Sequence, residues 1–199
     1  MSAAPADPRR LFVALMVGPA GAEVLAAVVA ALGGEAEAHR RHRLPRGDGL
    51  HLTLFFLGDV AAPAIDGLCA ELAGALAAAA APRLRLARAG AFPRPGHERV
   101  LWVGVEEEGG EGRLAALHRS VLAAVARAGF DPGEEVRRPF RAHVTVGRPR
   151  DPRRPGVPAA FYALAADRPW RPREAALVES VAAAGPNLYR PLAVFPLRE

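Results

Sequence analysis

Two stretches decide how this chain is read: Leu50-His51-Leu52-Thr53-Leu54-Phe55-Phe56-Leu57-Gly58 and Ala142-His143-Val144-Thr145-Val146-Gly147-Arg148. In each, apolar residues alternate with a histidine and a threonine two positions apart, the pattern of a strand with one buried face. Side chains alternate across a strand, so His51 and Thr53 face one way and Leu52 and Leu54 the other; His143 and Thr145 stand in the same relation to Val144 and Val146. Each motif is a polar pair over an apolar anchor.

Working outward, the same elements precede both motifs. Leu11 to Val17 reads as a buried strand. Residues 22–32 read as a helix with Val24, Leu25, Val28, Val29 and Leu32 on one face, stopped by Gly33-Gly34. A basic stretch from His39 to Asp48 leads into the strand Leu50 to Leu57. The spacing of Ile65, Leu68, Leu72 and Leu76 predicts a helix from Pro63 to Ala80, ended by Pro82 and followed by a half-exposed strand from Leu84 to Ala89. Val100 to Val105 is the next buried strand. A helix over 111–128 follows, with Leu114, Leu117, Val121 and Val125 inward, and a Gly129-to-Pro139 loop delivers the strand Ala142 to Val146. After a Pro- and Arg-rich loop from Arg148 to Pro158, strands Ala175 to Ala182 and Leu188 to Phe195 close the chain. A strand-helix-strand unit thus occurs twice, over about residues 10–58 and 99–147, with the two histidines 92 residues apart. Such a repeat predicts two pseudo-symmetric lobes whose motifs meet across the axis.

The 199 residues, 51% of them hydrophobic, supply a core for one domain or two small lobes and exclude disorder throughout, with residues 1–8 as an irregular lead-in. All 26 basic residues are arginines, a bias that discounts the net charge of +5 as a functional signal. The charge still favours anionic partners, and the planar arginine fork suits phosphate. Cys69 is the only cysteine, which excludes an intramolecular disulfide and a cysteine-based zinc site; it reads as a small buried apolar side chain, and the setting as reducing and cytoplasmic. Arg9-Arg10 before Leu11–Val17 mimics an export signal, but Gly18-Pro19 ends the apolar run too soon, and no apolar stretch is long enough to span a membrane without interruption by charge.

Two adjacent strands bearing these motifs would present two imidazoles and two hydroxyls to one group. Histidine titrates near neutrality, so one ring can act as general acid while the other acts as general base, an arrangement suited to in-line attack on phosphorus. Thr53 and Thr145 would hold non-bridging phosphate oxygens, and Arg148, at the end of its strand, would neutralise them. The scheme needs no cofactor or metal, and the sequence has no acidic cluster or close-spaced histidine pair of the kind a di-metal centre uses. His39 and His42 in a basic loop, His97 in a turn and His118 on the outer side of a helix read as solvated. Arg40, Arg41, Arg43, Arg46, Arg138 and Arg141 are either solvated charges or a rim that tracks an RNA backbone.

These residues resemble the two-histidine (2H) phosphoesterase superfamily, and within it the RNA 2′,3′-cyclic phosphodiesterases known as LigT-like proteins or 2′-5′ RNA ligases. The likeness covers nearly the whole chain. It rests on Arg10-Leu11-Phe12-Val13-Ala14, the first motif with Phe56-Leu57-Gly58, Gly90-Ala91-Phe92-Pro93, Arg99-Val100-Leu101-Trp102-Val103-Gly104, Arg138-Pro139-Phe140, the second motif through Arg148, and Gly185-Pro186 with Tyr189. The resemblance implies a bilobal α+β fold, with two antiparallel sheets flanking a central groove and helices outside. It implies opening of the 2′,3′-cyclic phosphate at an RNA end by water to leave a 2′-phosphate. His51 would protonate the leaving 3′ oxygen, His143 would activate water, and Thr53, Thr145 and Arg148 would bind the phosphate. The chain departs from the pattern at Arg43-Leu44-Pro45-Arg46, where a Trp-Val-Pro-like stretch is common, so Phe55 or Phe92, with Arg141, are the candidate contacts to the rest of the substrate. A monomer acting on an RNA end is expected.

Three other functions remain on the sequence: a superfamily member acting on another cyclic or 2′-5′-linked nucleotide, an RNA-end ligase, and a non-catalytic RNA-binding module. No Gly-x4-Gly-Lys motif is present, which argues against an ATP-dependent ligase. Loss of one histidine separates catalysis from mere binding.

Overall fold

A computed structural model describes residues 7–136, 139–183 and 186–199. Arg138, Gly185 and residues 1–6 of the lead-in lie outside them, while Asp7 and Pro8 have no regular structure.

Among the described residues the elements follow in order: β1 (Arg9–Met16), α1 (Ala20–Ala31), α2 (Glu35–Arg41), β2 (His42–Arg43), β3 (His51–Val60), α3 (Ile65–Leu76), β4 (Leu84–Phe92), β5 (Val100–Glu107), α4 (Arg113–Arg127), β6 (His143–Pro149), α5 (Ala159–Tyr162), β7 (Ala165–Trp170), β8 (Glu174–Val181) and β9 (Leu188–Pro196). The strands run β7-β4-β5-β6-β3-β1-β8-β9, every neighbouring pair antiparallel, with β2 paired to β6. This order is symmetric about its centre. Reading outward from β6 and from β3 gives two four-stranded halves, and the units β1-α1-β3 and β5-α4-β6 correspond. The halves join edge to edge at one register pair, Leu52 with Val144.

The apolar sides of both motifs supply that junction: Leu52, Leu54, Val144 and Val146 are buried in the main core with the inner stripes of the helices. In α3 the stripe is Leu68, Leu72 and Leu76; in α4 it includes Leu114, Leu117, Val121 and Val125. Each such side chain, fully buried, contributes about 1.5–3 kcal/mol of transfer free energy. Cys69 is half-buried and packs against this core.

Several elements differ from the sequence expectation. Helix α3 ends at Leu76, short of Ala80, because Ala80 forms a β-bridge with Arg198 and Ala81 N–H donates to the Arg198 carbonyl at 2.7 Å. The basic stretch before the first motif is not a loop throughout. Glu35–Arg41 is helical, with acids in the first turn, bases in the last, and Glu37 bonded to Arg40 and Arg41. Strand β7 has no counterpart in the sequence expectation, being a largely exposed edge strand that contains Pro169 and lacks the alternation of a half-buried strand.

Candidate active site

The register about Leu52 and Val144 builds the site. In an antiparallel pair it sets His51 beside Thr145 and Thr53 beside His143, so that the histidines take one diagonal of a square and the threonines the other. All four are half-buried. The threonine hydroxyls make no side-chain hydrogen bond among the described residues and are available to a ligand.

Both imidazoles are held in the same way. His51 Nδ1 lies 2.8 Å from the carbonyl oxygen of Gly49, and His143 Nδ1 lies 2.7 Å from that of Arg141, each two residues upstream. A carbonyl can only accept, so Nδ1 carries the hydrogen and Nε2 is left for chemistry in each ring. Burial pulls the His51 pKa below the usual imidazole value; the Gly49 carbonyl opposes this, and His143 adds to it.

Aromatic rings fix each imidazole from the side. Phe12 lies 4.7 Å from the His51 ring and Tyr189 meets it edge-on at 4.8 Å. Around His143, Phe92 sits edge-on at 5.0 Å and Trp102 at 6.4 Å, and these two rings contact one another at 5.2 Å. Trp102 lies across Gly90, its partner on β4, where a Cβ would come within 2.4 Å of the indole. Phe12, Trp102 and Tyr189 were legible as parts of a resemblance, but no residue spacing gave them a place beside a histidine.

Strict alternation would turn Arg148, five residues beyond His143, away from the groove. A register shift between Leu101 and Trp102 corrects this: Leu101 pairs with Gly147 and Trp102 with Thr145, so Val146 and Gly147 are both buried and Arg148 emerges on the histidine side. It lies near enough to Tyr189, the ring on His51, to act on that phenol electrostatically. The same device operates after the first motif. Val13 pairs with Phe55 and Ala14 with Thr53, leaving Leu54 and Phe55 both buried and Phe56 exposed.

Phe55 is therefore a core residue at 5% exposure and offers no ring to the groove, contrary to the expectation that it contacts the substrate. Phe92 and Arg141 do reach the site: Phe92 contacts His143, and exposed Arg141 lines a cleft beside Thr53 and His143. Two further histidines depart from expectation. His42 is fully buried because β2 pairs with β6 and sets it opposite Pro149, and His118 is buried because it continues the α4 stripe one turn after Leu114. His39 and His97 are exposed as expected.

The sequence and the overall fold are matched by known proteins. The sequence matches the 2′-5′ RNA ligase superfamily over residues 21–183. The chain belongs to this superfamily. A relative named RNA 2′,3′-cyclic phosphodiesterase, from Geobacillus stearothermophilus, is 35% identical over 148 residues, which are 74% of this chain and 45% of that protein. The chain spans about half the length of the first curated relatives it matches. Among solved structures, TT0787 of Thermus thermophilus superimposes with a TM-score of 0.73 at 30% identity, over 95% of this chain and 98% of that one. E. coli LigT complexed with 3′-AMP superimposes at 0.71 and 27% identity, over 96% and 99%. The mixed helix and antiparallel-sheet fold of this chain is thus the LigT-like fold. Among the described residues no group of three or more His, Cys, Asp or Glu could hold a metal ion, and no helix is long and apolar enough to cross a membrane.

Proposed function

We propose that this superfamily member hydrolyses the 2′,3′-cyclic phosphate at an RNA end to a 2′-phosphate, by proton transfer between His51 and His143. One observation carries the reading: two imidazoles on a diagonal, each with Nδ1 tied to a carbonyl and Nε2 left for chemistry, with threonine hydroxyls on the other diagonal. In-line displacement needs a base and an acid on opposite sides of phosphorus, and a diagonal provides them. His143 Nε2 takes a proton from water as the new O–P bond forms. As the P–O3′ bond breaks, His51 Nε2–H protonates O3′, leaving a 3′-hydroxyl and a 2′-phosphate. Thr53 and Thr145 donate to the non-bridging oxygens, and Arg148, at the His51–Thr145 end, offsets their charge. The negative charge of the bound phosphodiester restores to His51 the proton that burial disfavours. The names of the relatives and the 3′-AMP held by E. coli LigT support an RNA end as substrate.

The test is hydrolysis of a short RNA ending in a 2′,3′-cyclic phosphate, in EDTA, by the wild type, His51→Ala and His143→Ala. A 2′-phosphate product from the wild type, with each variant slower by about 10²- to 10⁴-fold, is expected. Binding without turnover by all three would instead establish an RNA-binding module.

A further inference from the structure

Arginines without acidic partners gather at one end of the square. At the His51–Thr145 end β2 pairs with β6, which sets Arg43 opposite Arg148, while His42 and Pro149, the adjacent register pair, are buried. Alternation returns Arg150 to the side of Arg148, two residues and about 6–7 Å farther along the chain. Residues 151–154 then make a turn, in which Arg153 N–H donates to the Asp151 carboxylate at 2.9 Å and Arg154 N–H to the Asp151 carbonyl at 3.1 Å. Both ends of this turn are tied to α2. Arg150 donates from its backbone N–H to the Arg41 carbonyl at 2.8 Å and from Nε to the His39 carbonyl at 3.0 Å, and a Cβ at Gly156 would strike the Arg41 guanidinium.

The cations of this face are of two kinds. Arg40 and Arg41 are bonded to Glu37 within α2. Arg43, Arg148, Arg150, Arg153 and Arg154 are exposed, and among the described residues none of them forms an ion pair. Elsewhere arginines are matched to acids: Arg9 to Glu179, Arg85 to Glu106 and Asp167, Arg113 to Glu111, and Arg127 to Glu71. A row of unneutralised guanidiniums on a pinned backbone, spaced by two extended residues, suits the successive phosphates of a single strand. The row also lies where a strand would leave the site. Water enters in line from the His143 side, so the terminal ribose, attached through O3′, lies on the His51 side, which is the end occupied by Arg43 and Arg148.

We propose that Arg43, Arg150, Arg153 and Arg154 form an exosite for the strand that precedes the cyclic phosphate, contacting phosphates 5′ of the terminal nucleotide and favouring oligonucleotide ends over cyclic mononucleotides. The placement rests on the reading under Proposed function, which puts the reacting phosphate beside Arg148. Residues 148–155 contain no aromatic side chain on which a base could stack, so the exosite reads charge and strand length, and base identity has no part in it.

The test compares hydrolysis of adenosine 2′,3′-cyclic phosphate with that of an oligoribonucleotide of about six residues ending in the same group, over a series of salt concentrations. The variant is Arg153→Ala with Arg154→Ala, checked for folding by circular dichroism; both side chains are exposed and only their backbone N–H groups are bonded in the turn. The wild type should favour the oligonucleotide by about tenfold or more in kcat/KM, and the variant should lose about tenfold on it, through KM, while staying within about twofold on the mononucleotide. The slope of log kcat/KM against log salt for the oligonucleotide should flatten by about 0.7 for each phosphate contact removed. Methylphosphonate linkages in place of the upstream phosphodiesters should abolish both the oligonucleotide's advantage and its response to the variant. Equal losses on the two substrates, no loss on either, or an advantage that survives the methylphosphonates would overturn the exosite. If the wild type opens no cyclic phosphate, the proposed function fails, and fluorescence anisotropy of a labelled oligonucleotide ending in a 2′-phosphate, with the same variant and salt series, still reads the exosite on its own.

Discussion

Arg148 and Phe56 occupy equivalent places, each five residues beyond its histidine and each turned to the histidine side by a bulge that buries the two residues before it. The duplicated framework is therefore symmetric in backbone and asymmetric in charge. One end of the square carries a guanidinium beside another on β2, since Arg43 pairs with Arg148. The other carries an aromatic ring with the Arg10 guanidinium 4.8 Å above it. Two arginines at paired positions make this the more cationic end of the square.

Arg148→Ala is accordingly expected to lower kcat/KM for cyclic-phosphate hydrolysis by about 10- to 100-fold, the worth of a charge-assisted hydrogen bond of about 1.5–3 kcal/mol. Arg148→Lys should recover only part, because a point charge lacks the bidentate fork. Steady-state kinetics with both variants decide the matter; an unchanged kcat/KM in Arg148→Ala would place the phosphate elsewhere.

The pH dependence follows from the state of His51. Burial and His143 hold it below its ordinary value of 6.5, so it loses its proton at a lower pH than a free imidazole. A bell-shaped kcat/KM profile is expected, and the limb that reports His51 in the free protein has its midpoint below 6.5. In the kcat profile the limb should move upward, since the bound phosphodiester favours the protonated ring. A flat profile from about pH 5 to 9 would remove the acid-base pair from the mechanism.

How much of this was legible in the sequence depended on whether period-two alternation held. From His51 to Leu54 and from His143 to Val146 it holds, and the polar pairs and their apolar anchors were readable. It fails at the bulges, which depend on pairing with β1 and β5, so the exposure of Phe56 and the turn of Arg148 to the histidine side cannot be read from the sequence. His118 misled for a different reason. A helix that packs in a core buries a stripe wide enough to take in the residue after Leu117, and a polar side chain at its margin reads as solvated. Edge strand β7 has no alternation to read, and β2 is only two residues long.

The indole beside His143 depends on a glycine. A Cβ at Gly90 would lie 2.4 Å from Trp102 Cη2, so the ring must move in Gly90→Ala. Overpacking of this kind costs about 1–3 kcal/mol, and here it displaces a side chain that touches Phe92, which contacts His143. Gly90→Ala is expected to lower both Tm and cyclic-phosphate turnover, while Gly67→Ala, at a helical site with open space around its Cβ, should raise Tm slightly or leave it unchanged. Equal behaviour of the two variants in thermal melts and kinetics would show that the ring does not need the glycine.

Glu98 anchors the hairpin between β4 and β5, which begins at Phe92. Burial pushes its carboxyl up, but donors from the Tyr162 hydroxyl and the Gly96 N–H more than offset this and leave it below the ordinary range, while the Tyr162 phenol is raised by burial and by Glu98. Tyr162→Phe removes a donor from a carboxylate that is 3% exposed, so a loss of about 1–3 kcal/mol in urea unfolding is expected. Tyr162→Phe with Glu98→Gln should lose less than the two single changes added together; additivity would mean that the contact carries no coupling.

Three histidines, His42, His51 and His118, have pKa values lowered by burial. Near their ordinary value of 6.5 the unfolded chain binds these protons and the folded chain does not, so stability is full above that value and falls as pH drops below it. Each group steepens the dependence by at most about 1.4 kcal/mol per pH unit. Tm should therefore decline from pH 7.5 to pH 5.5, and His118→Leu should flatten part of the decline because the variant has one fewer imidazole to charge. A His118→Leu protein with the wild-type slope would mean that protonated His118 is accommodated in the fold.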